Sequence, residues 1–226
     1  MLKAFLFDMD GVLYDSMRGH VQAWHDTLAA EGIVVPPAEL YLYEGRTGHS
    51  TINLLFNRTF GRNATPEEVE RIYLHKAQRF NELESPESKP MPGAWEVLQQ
   101  VKQAGLQRII VTGSGQQSLF EKLDKHFPAM FDRDKMVTAY DVKHGKPNPE
   151  PYLKGLQKGG LQPDEAIVVE NAPLGVEAAR AAGVFTVAVN TGPLADDILW
   201  NAGANFVYPS MQALADDFDA VIAASI

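Results

Sequence analysis

The chain reads as an α/β protein with a mainly parallel sheet, whose first strand is separated from the others by an all-helical insert. Three observations carry that expectation. An apolar run over residues 3–7 stops at a polar loop, 8–15, as a buried strand does on leaving a sheet. Residues 16–83 show helical periodicity and no strand pattern. From residue 93 onward, apolar runs alternate with helical stretches, the pattern of βαβ units.

Taken in order, Val21, Trp24 and Leu28 recur at i, i+3, i+7 and mark the first insert helix. Ile52, Leu55, Phe56 and Phe60 form the stripe of a second. Thr65-Pro66-Glu67-Glu68 supplies an N-cap hydroxyl, a first-turn proline and first-turn acids, opening a third helix that reaches about Asn81. Pro86, Pro90 and Pro92 give the next stretch linker composition, and Trp95, Leu98 and Val101 share a face of the helix after it. Residues 109–111, 136–138, 166–169 and 185–189 read as buried strands, with helices over 116–127, 150–158 and 174–182. A single strand has no partner for its backbone groups, so the first joins this sheet. The expected division is 1–15 with 84–226 as a core and 16–83 as a cap, hinged at 14–17 and 84–92.

Composition narrows the chemistry. The 226 residues include no cysteine, which excludes disulfides, thiolate metal sites and thiol nucleophiles. A net charge of −9, from 20 Lys+Arg against 29 Asp+Glu, argues against general affinity for nucleic acid or anionic membrane. The apolar start is too short for a signal peptide. The charge-free stretch 198–215 is broken by Asn201, Asn205, Pro209 and Gln212, so no membrane span is expected and the location reads as cytoplasmic.

In an open parallel sheet, ligands bind beyond the carboxyl ends of the strands. Asp8 and Asp10 follow the first apolar run, and Thr112-Gly113-Ser114 the second. Glu170-Asn171 follow a later one, while Lys146 lies in Gly145-Lys146-Pro147. Carboxylates at i, i+2 with a third acid nearby repel one another unless a cation neutralises them. Oxygen donors without His or Cys favour Mg²⁺. Lys146, Thr112 and the Gly113 amide offer charge and donors to an anion. Such a set suits phosphoryl transfer, with an aspartate able to serve as the nucleophile.

Asp8-Met9-Asp10-Gly11-Val12-Leu13, Thr112, Lys146-Pro147 and Glu170-Asn171 resemble the four motifs of the haloacid dehalogenase superfamily, over essentially the whole chain. The resemblance implies a Rossmann-like α/β core under a helical cap. It implies Asp8 as nucleophile and Asp10 as acid and base, its main-chain carbonyl on Mg²⁺. Thr112 and Lys146 would hold the phosphoryl group, with Gly113 and Ser114 beside it, and Glu170 and Asn171 would complete the metal site. Asn171 stands where the family often has a second acid.

Asp15-Ser16, His20 to Trp24 and Lys76 resemble the β-phosphoglucomutase-like branch. That mutase carries a lysine before its cap-loop glycine and an arginine three residues after it; here Glu44-Gly45-Arg46-Thr47-Gly48 stands instead. A carboxylate facing phosphate is repulsive unless metal intervenes. The loop resembles that of inorganic pyrophosphatases in this branch, so inorganic pyrophosphate is the expected substrate. Glu44 would ligate Mg²⁺ on closure, and Arg46 or Lys76 would meet the distal phosphate. A phosphosugar mutase or phosphatase is the alternative, and a catalytically silent binding module a remote one. A monomer acting on a small phosphorylated substrate is expected. His20 reads equally as a structural, hydrogen-bonded histidine beside Trp24, and Glu44, Arg46 and Lys76 equally as surface charges.

Overall fold

The computed structural model describes residues 1–83, 89–115 and 118–225. Its sheet contains β1 (Ala4–Phe7), β2 (Gln107–Ile110), β3 (Ala166–Glu170), β4 (Phe185–Val189) and β5 (Phe206–Tyr208). The order is β2-β1-β3-β4-β5, with every pairing parallel. The helices are α1 (Met17–Ala30), α2 (Pro37–Leu40), α3 (Gly48–Phe60), α4 (Pro66–Leu83), α5 (Ala94–Gln103), α6 (Ser118–His126), α7 (Glu150–Gly159), α8 (Pro173–Ala181), α9 (Asp196–Ala202), α10 (Met211–Asp216) and α11 (Phe218–Ala224).

β1 is flanked on both edges and covered on both faces, which is why it reads as an unbroken apolar run. Its side chains alternate between two cores. Phe5 and Phe7 pack with Val97, Leu98 and Val101 of α5 and with Met211 and Phe218 of α10 and α11. Ala4 and Leu6 pack on the other face with Tyr152 and Leu156 of α7 and Ala178 and Ala179 of α8. The result is a helix–sheet–helix sandwich, as expected.

Between Met17 and Leu83 the described residues form helices and turns and no strand. They bury a core of their own, with Val21, Leu28, Ile52, Leu55 and Ile72 at its centre. The cap of α4 forms as its sequence dictates: Thr65 Oγ1 accepts from Glu68 N, and Glu68 Oε2 accepts from Thr65 N. The two connections to the rest of the chain run side by side, with Met91 N donating to Leu13 O and Asp15 N to Lys89 O. Of the expected hinges, 84–88 lies outside the described residues, as does the start of the helix expected from 116.

Two expectations about the sheet need correction. Residues 136–138 are no strand: Val137 alone bridges to Val111. Lys158 Nζ takes the Met136 carbonyl, and Thr138 at once caps a 3-10 turn with Asp141, so nothing is left to extend the ladder. Conversely, β5 lies within the stretch read only as charge-free. It is three residues long and half-buried at an edge, too short for periodicity to reveal. Trp95, expected on the buried face of α5, is 36% exposed and stacks on Phe127.

Candidate active site

Parallel register assembles the site. Phe7 lies level with Ile110 on one side and Val169 on the other. Asp8, Val111-Thr112 and Glu170 therefore leave three adjacent strands at the same height. β1 is also where the strand order reverses, with β2 to one side and β3 to the other, and such a switch point opens a crevice.

Lys146 is the hub. Its ammonium is 2.5 Å from Asp8 Oδ1, 2.5 Å from Glu170 Oε1 and 3.2 Å from the Val111 carbonyl. The residue is only 2% exposed. Burial alone would lower its pKa; the two carboxylates outweigh that and raise it, so the amine stays charged. Glu170 is wholly buried, and all four of its lone-pair directions are occupied. Oε1 accepts from Lys146 and from the Tyr152 hydroxyl at 2.7 Å, and Oε2 accepts from the amides of Asn171 at 2.9 Å and Ala172 at 3.2 Å. The close approach of α8 depends on Gly175, where any Cβ would overlap the Glu170 carboxylate. In this arrangement Glu170 holds Lys146 and has no lone pair left for a metal ion.

Asp8 is pushed up from the ordinary carboxylate range by burial and by the charge of Glu170, partly offset by Lys146. Only its Oδ1 is hydrogen-bonded; Oδ2 has no partner among the described residues, and Asp8 lines the cavity above the sheet. Thr112 is buried, lines the same cavity, and accepts from Ser114 N at 3.0 Å, which shapes the Thr112–Ser114 turn.

Asp10 is held by the insert. Ser16 Oγ donates to its Oδ1 at 2.5 Å, and His20 Nε2 lies 3.2 Å from the same oxygen. Burial would raise Asp10, but His20, Ser16 and the charge of Lys76 prevail and hold it at about 2. His20 is lowered by burial and by Lys76, against Asp10. Its Nδ1 accepts from Lys76 Nζ at 2.6 Å, so neutral His20 carries its proton on Nε2 toward Asp10. The ring stacks on Phe80 at 3.9 Å, which locks that orientation. Lys76, also buried, rests over the Trp24 and Phe80 rings. His20 and Lys76 are thus packed and hydrogen-bonded in the fold, and both also line the cavity.

The loop Glu44–Gly48 closes over the cavity. Gly45 has φ +85 and packs against the Lys146 stem, while its carbonyl faces Gly113; Thr47 packs on Gly145. Glu44 and Arg46 both line the cavity with Trp24 and Tyr73, so neither is a plain surface charge. Glu44 is pushed up by burial and by Asp10, Asp8 and Glu170, with Lys76 opposing. Arg46 donates to Ser50 Oγ at 3.1 Å, while its Nε is buried with no partner among the described residues.

Among the described residues no three Asp, Glu or His side chains form a ready-made metal cage. The donor set still fits a hard dication. Asp8 and Glu44 are both burdened by neighbouring negative charge, and the Asp8–Gly11 loop offers carboxylate and main-chain oxygens. The Asn171 side-chain amide packs directly on Gly11, beside that loop. The structure brings together Asp8, Asp10, His20, Glu44, Arg46, Lys76, Thr112, Gly113 and Ser114 around one cavity, with Lys146 and Glu170 beneath it. Sequence reasoning missed Tyr152 and Tyr73. Both lie on helices in positions that read simply as packing, so no pattern marks them.

Residues 2–183 match the family model described as haloacid dehalogenase-like hydrolase. Hexitol phosphatase A of Escherichia coli strain K12 is 33% identical over 191 residues, covering 83% of each chain. A phosphorylated carbohydrates phosphatase of Thermotoga maritima is 29% identical over 188 residues, 81% of this chain and 82% of that one. Among solved structures, a Bacteroides vulgatus protein carrying a provisional beta-phosphoglucomutase name matches with a TM-score of 0.94 and 51% identity, over 99% of this chain and 90% of that one.

Proposed function

The chain belongs to the haloacid dehalogenase-like hydrolases, and on that footing we propose that it is a Mg²⁺-dependent phosphohydrolase acting on phosphorylated carbohydrates through an aspartyl phosphate on Asp8. The observation that carries this reading is Asp8 itself. One oxygen is clamped by buried Lys146, and the other is unengaged and faces the cavity.

Asp8 Oδ2 attacks phosphorus and the substrate oxygen departs, leaving the phosphoryl group on the carboxylate. Water then attacks phosphorus, and the Asp8 oxygen leaves. Asp10 rests ionised, so it is ready to take the proton from that water; donating a proton to the leaving oxygen requires one loaded beforehand. Lys146 and Thr112 stabilise the phosphoryl oxygens. Asp8, the Asp10 main-chain carbonyl and Asn171 are the residues that would hold Mg²⁺, which when bound neutralises phosphoryl charge. Residues 16–83 act as the cap that excludes water. Asp10→Asn is expected to cost about 10²–10⁴-fold in kcat, measured on a small aryl phosphate.

The lining and the relatives both support this substrate class. Glu44 is an acceptor with no hydrogen-bond donor bound to it among the described residues, and sugar hydroxyls are donors. Arg46 brings positive charge into the same cavity, where it can meet the phosphate of a sugar phosphate. The relatives are by name phosphatases of hexitols and phosphorylated carbohydrates, so the pyrophosphate expectation becomes the second reading. It keeps one observation in its favour: Glu44, facing Asp8 and Asp10, calls for a cation that metal-chelated pyrophosphate brings with it.

A substrate panel with Mg²⁺ separates the two. Hexitol and hexose phosphates are expected to give the highest kcat/KM, with Glu44→Gln costing no more than about tenfold, because its amide oxygen still accepts from a hydroxyl. If pyrophosphate ranks first and Glu44→Gln abolishes its turnover, the second reading replaces the first. Conversion of β-glucose 1-phosphate to an isomer without release of phosphate would identify a mutase.

A further inference from the structure

We propose that Tyr152 is a positioning residue of this active site, acting through Glu170 to divide the Lys146 ammonium between Glu170 and Asp8. Tyr152 is fully buried in the apolar layer between α7 and the sheet, in company with Leu6, Val111 and Val168. Phenylalanine would serve that packing equally well. A hydroxyl buried there costs stability unless it is bonded, so the hydroxyl calls for a reason. It donates to Glu170 Oε1 at 2.7 Å, the same oxygen that accepts from Lys146 at 2.5 Å. The ring itself lies 5.2 Å from Lys146 Nζ. Tyr152 thus touches both members of the pair that holds the nucleophile, yet it does not line the cavity.

The electrostatic consequence is specific. Glu170 Oε2 is occupied by the Asn171 and Ala172 amides, so Oε1 is the only oxygen it can offer Lys146. A second donor on Oε1 spreads that oxygen's charge over two bonds. Lys146 is then left equidistant, 2.5 Å from Glu170 and 2.5 Å from Asp8. With the hydroxyl removed, Oε1 has Lys146 as its only donor, the Lys146–Glu170 pair tightens, and the ammonium withdraws from Asp8. Since α7 begins four residues after Lys146, the chain that delivers the lysine also delivers its regulator within the first helical turn.

The catalytic part of this inference rests on the phosphohydrolase reading; the geometric part does not. The test is Tyr152→Phe in the full chain, followed by kinetics, thermal unfolding and a crystal structure of the variant. The expected result is a kcat lower by about 10- to 100-fold, the worth of one hydrogen bond to a charged group, with KM within about twofold. In the crystal, Lys146 Nζ should stand beyond about 3.5 Å from Asp8 Oδ1. An unchanged kcat overturns the proposal, as does a lower Tm with full activity per folded molecule, which would mark Tyr152 as packing alone. Lys146 keeping both contacts in the variant also overturns it. Should the native enzyme hydrolyse no phosphate ester at all, the phosphohydrolase reading fails, and the Lys146 position in the variant still decides the role of Tyr152.

Discussion

Asp8→Asn is expected to abolish turnover, by about 10⁴-fold or more, on every substrate the native protein hydrolyses, with no phosphate trapped on the protein. An amide oxygen is a poor nucleophile, and no other carboxylate shares its position: Glu170 is saturated and lies beneath the cavity, and Asp10 is turned to Ser16 and His20. Residual activity at the native KM would place the nucleophile elsewhere. The same variant carries a stability prediction. In the metal-free protein Asp8 titrates near 7, raised by burial, with Lys146 only partly compensating and Glu170 adding to the rise. A carboxyl raised in the folded state contributes stability below its unfolded value, near 3.8, which is lost as pH climbs through 7. Asn does not titrate, so without metal the variant should match the native protein near pH 4 and unfold at a higher temperature near pH 8. The reverse ordering would mean that Lys146 gains more from an ionised Asp8 than burial costs.

Lys146→Met has the largest expected cost to the fold. Methionine fills the channel beneath Gly45, but Glu170 and Asp8 lose their cation. Breaking a buried ion pair from one side costs about 3–5 kcal/mol, far more than the pair contributes relative to an apolar replacement of both partners. For a chain of this size that corresponds to a Tm lower by roughly 6–20 °C. Turnover should vanish as well, since the ammonium holds Asp8 from beneath the cavity. The sign of the pH dependence is fixed by Asp8: without Lys146, which lowers it, its carboxyl rises further, so the penalty should shrink as the pH falls and Asp8 takes up a proton. A penalty that is constant from pH 8 to pH 5 would show that the loss is packing rather than charge. Thermal unfolding across that range, with and without Mg²⁺, reads both outcomes.

These two variants concern residues legible in the sequence, and the reason is physical. A buried central strand must be apolar throughout and must end where polar groups begin, so β1 and Asp8 announce each other. The cap of α4 was equally readable, because Thr65 and Glu68 satisfy orphan amides three residues apart, entirely within local sequence. Short or partnered elements were not. β5 exists because Asn205 N and Asn190 N find carbonyl partners in Thr186 and Tyr208 across the sheet edge, which no local pattern reveals. Residues 136–138 have strand composition, yet Lys158 and Asp141 claim their backbone groups.

The site divides in the same way. Sequence by itself determined the fold class, the strand-end carboxylates, Lys146, and an oxygen-rich site for phosphoryl chemistry, since these depend on residue type and order along the chain. The tertiary structure alone decided what each group does to its neighbours. Glu170 holds Lys146 because Oε2 is spent on two amides and Oε1 on a lysine and a tyrosine drawn from another helix. His20 and Lys76 are packed together and line the cavity because α1 and α4 meet at that point, their rings and stems forming one stack. Burial and the sharing of a lone pair are properties of three-dimensional neighbours, and residues as far apart as Asp8 and Lys146 become neighbours only once the sheet has formed.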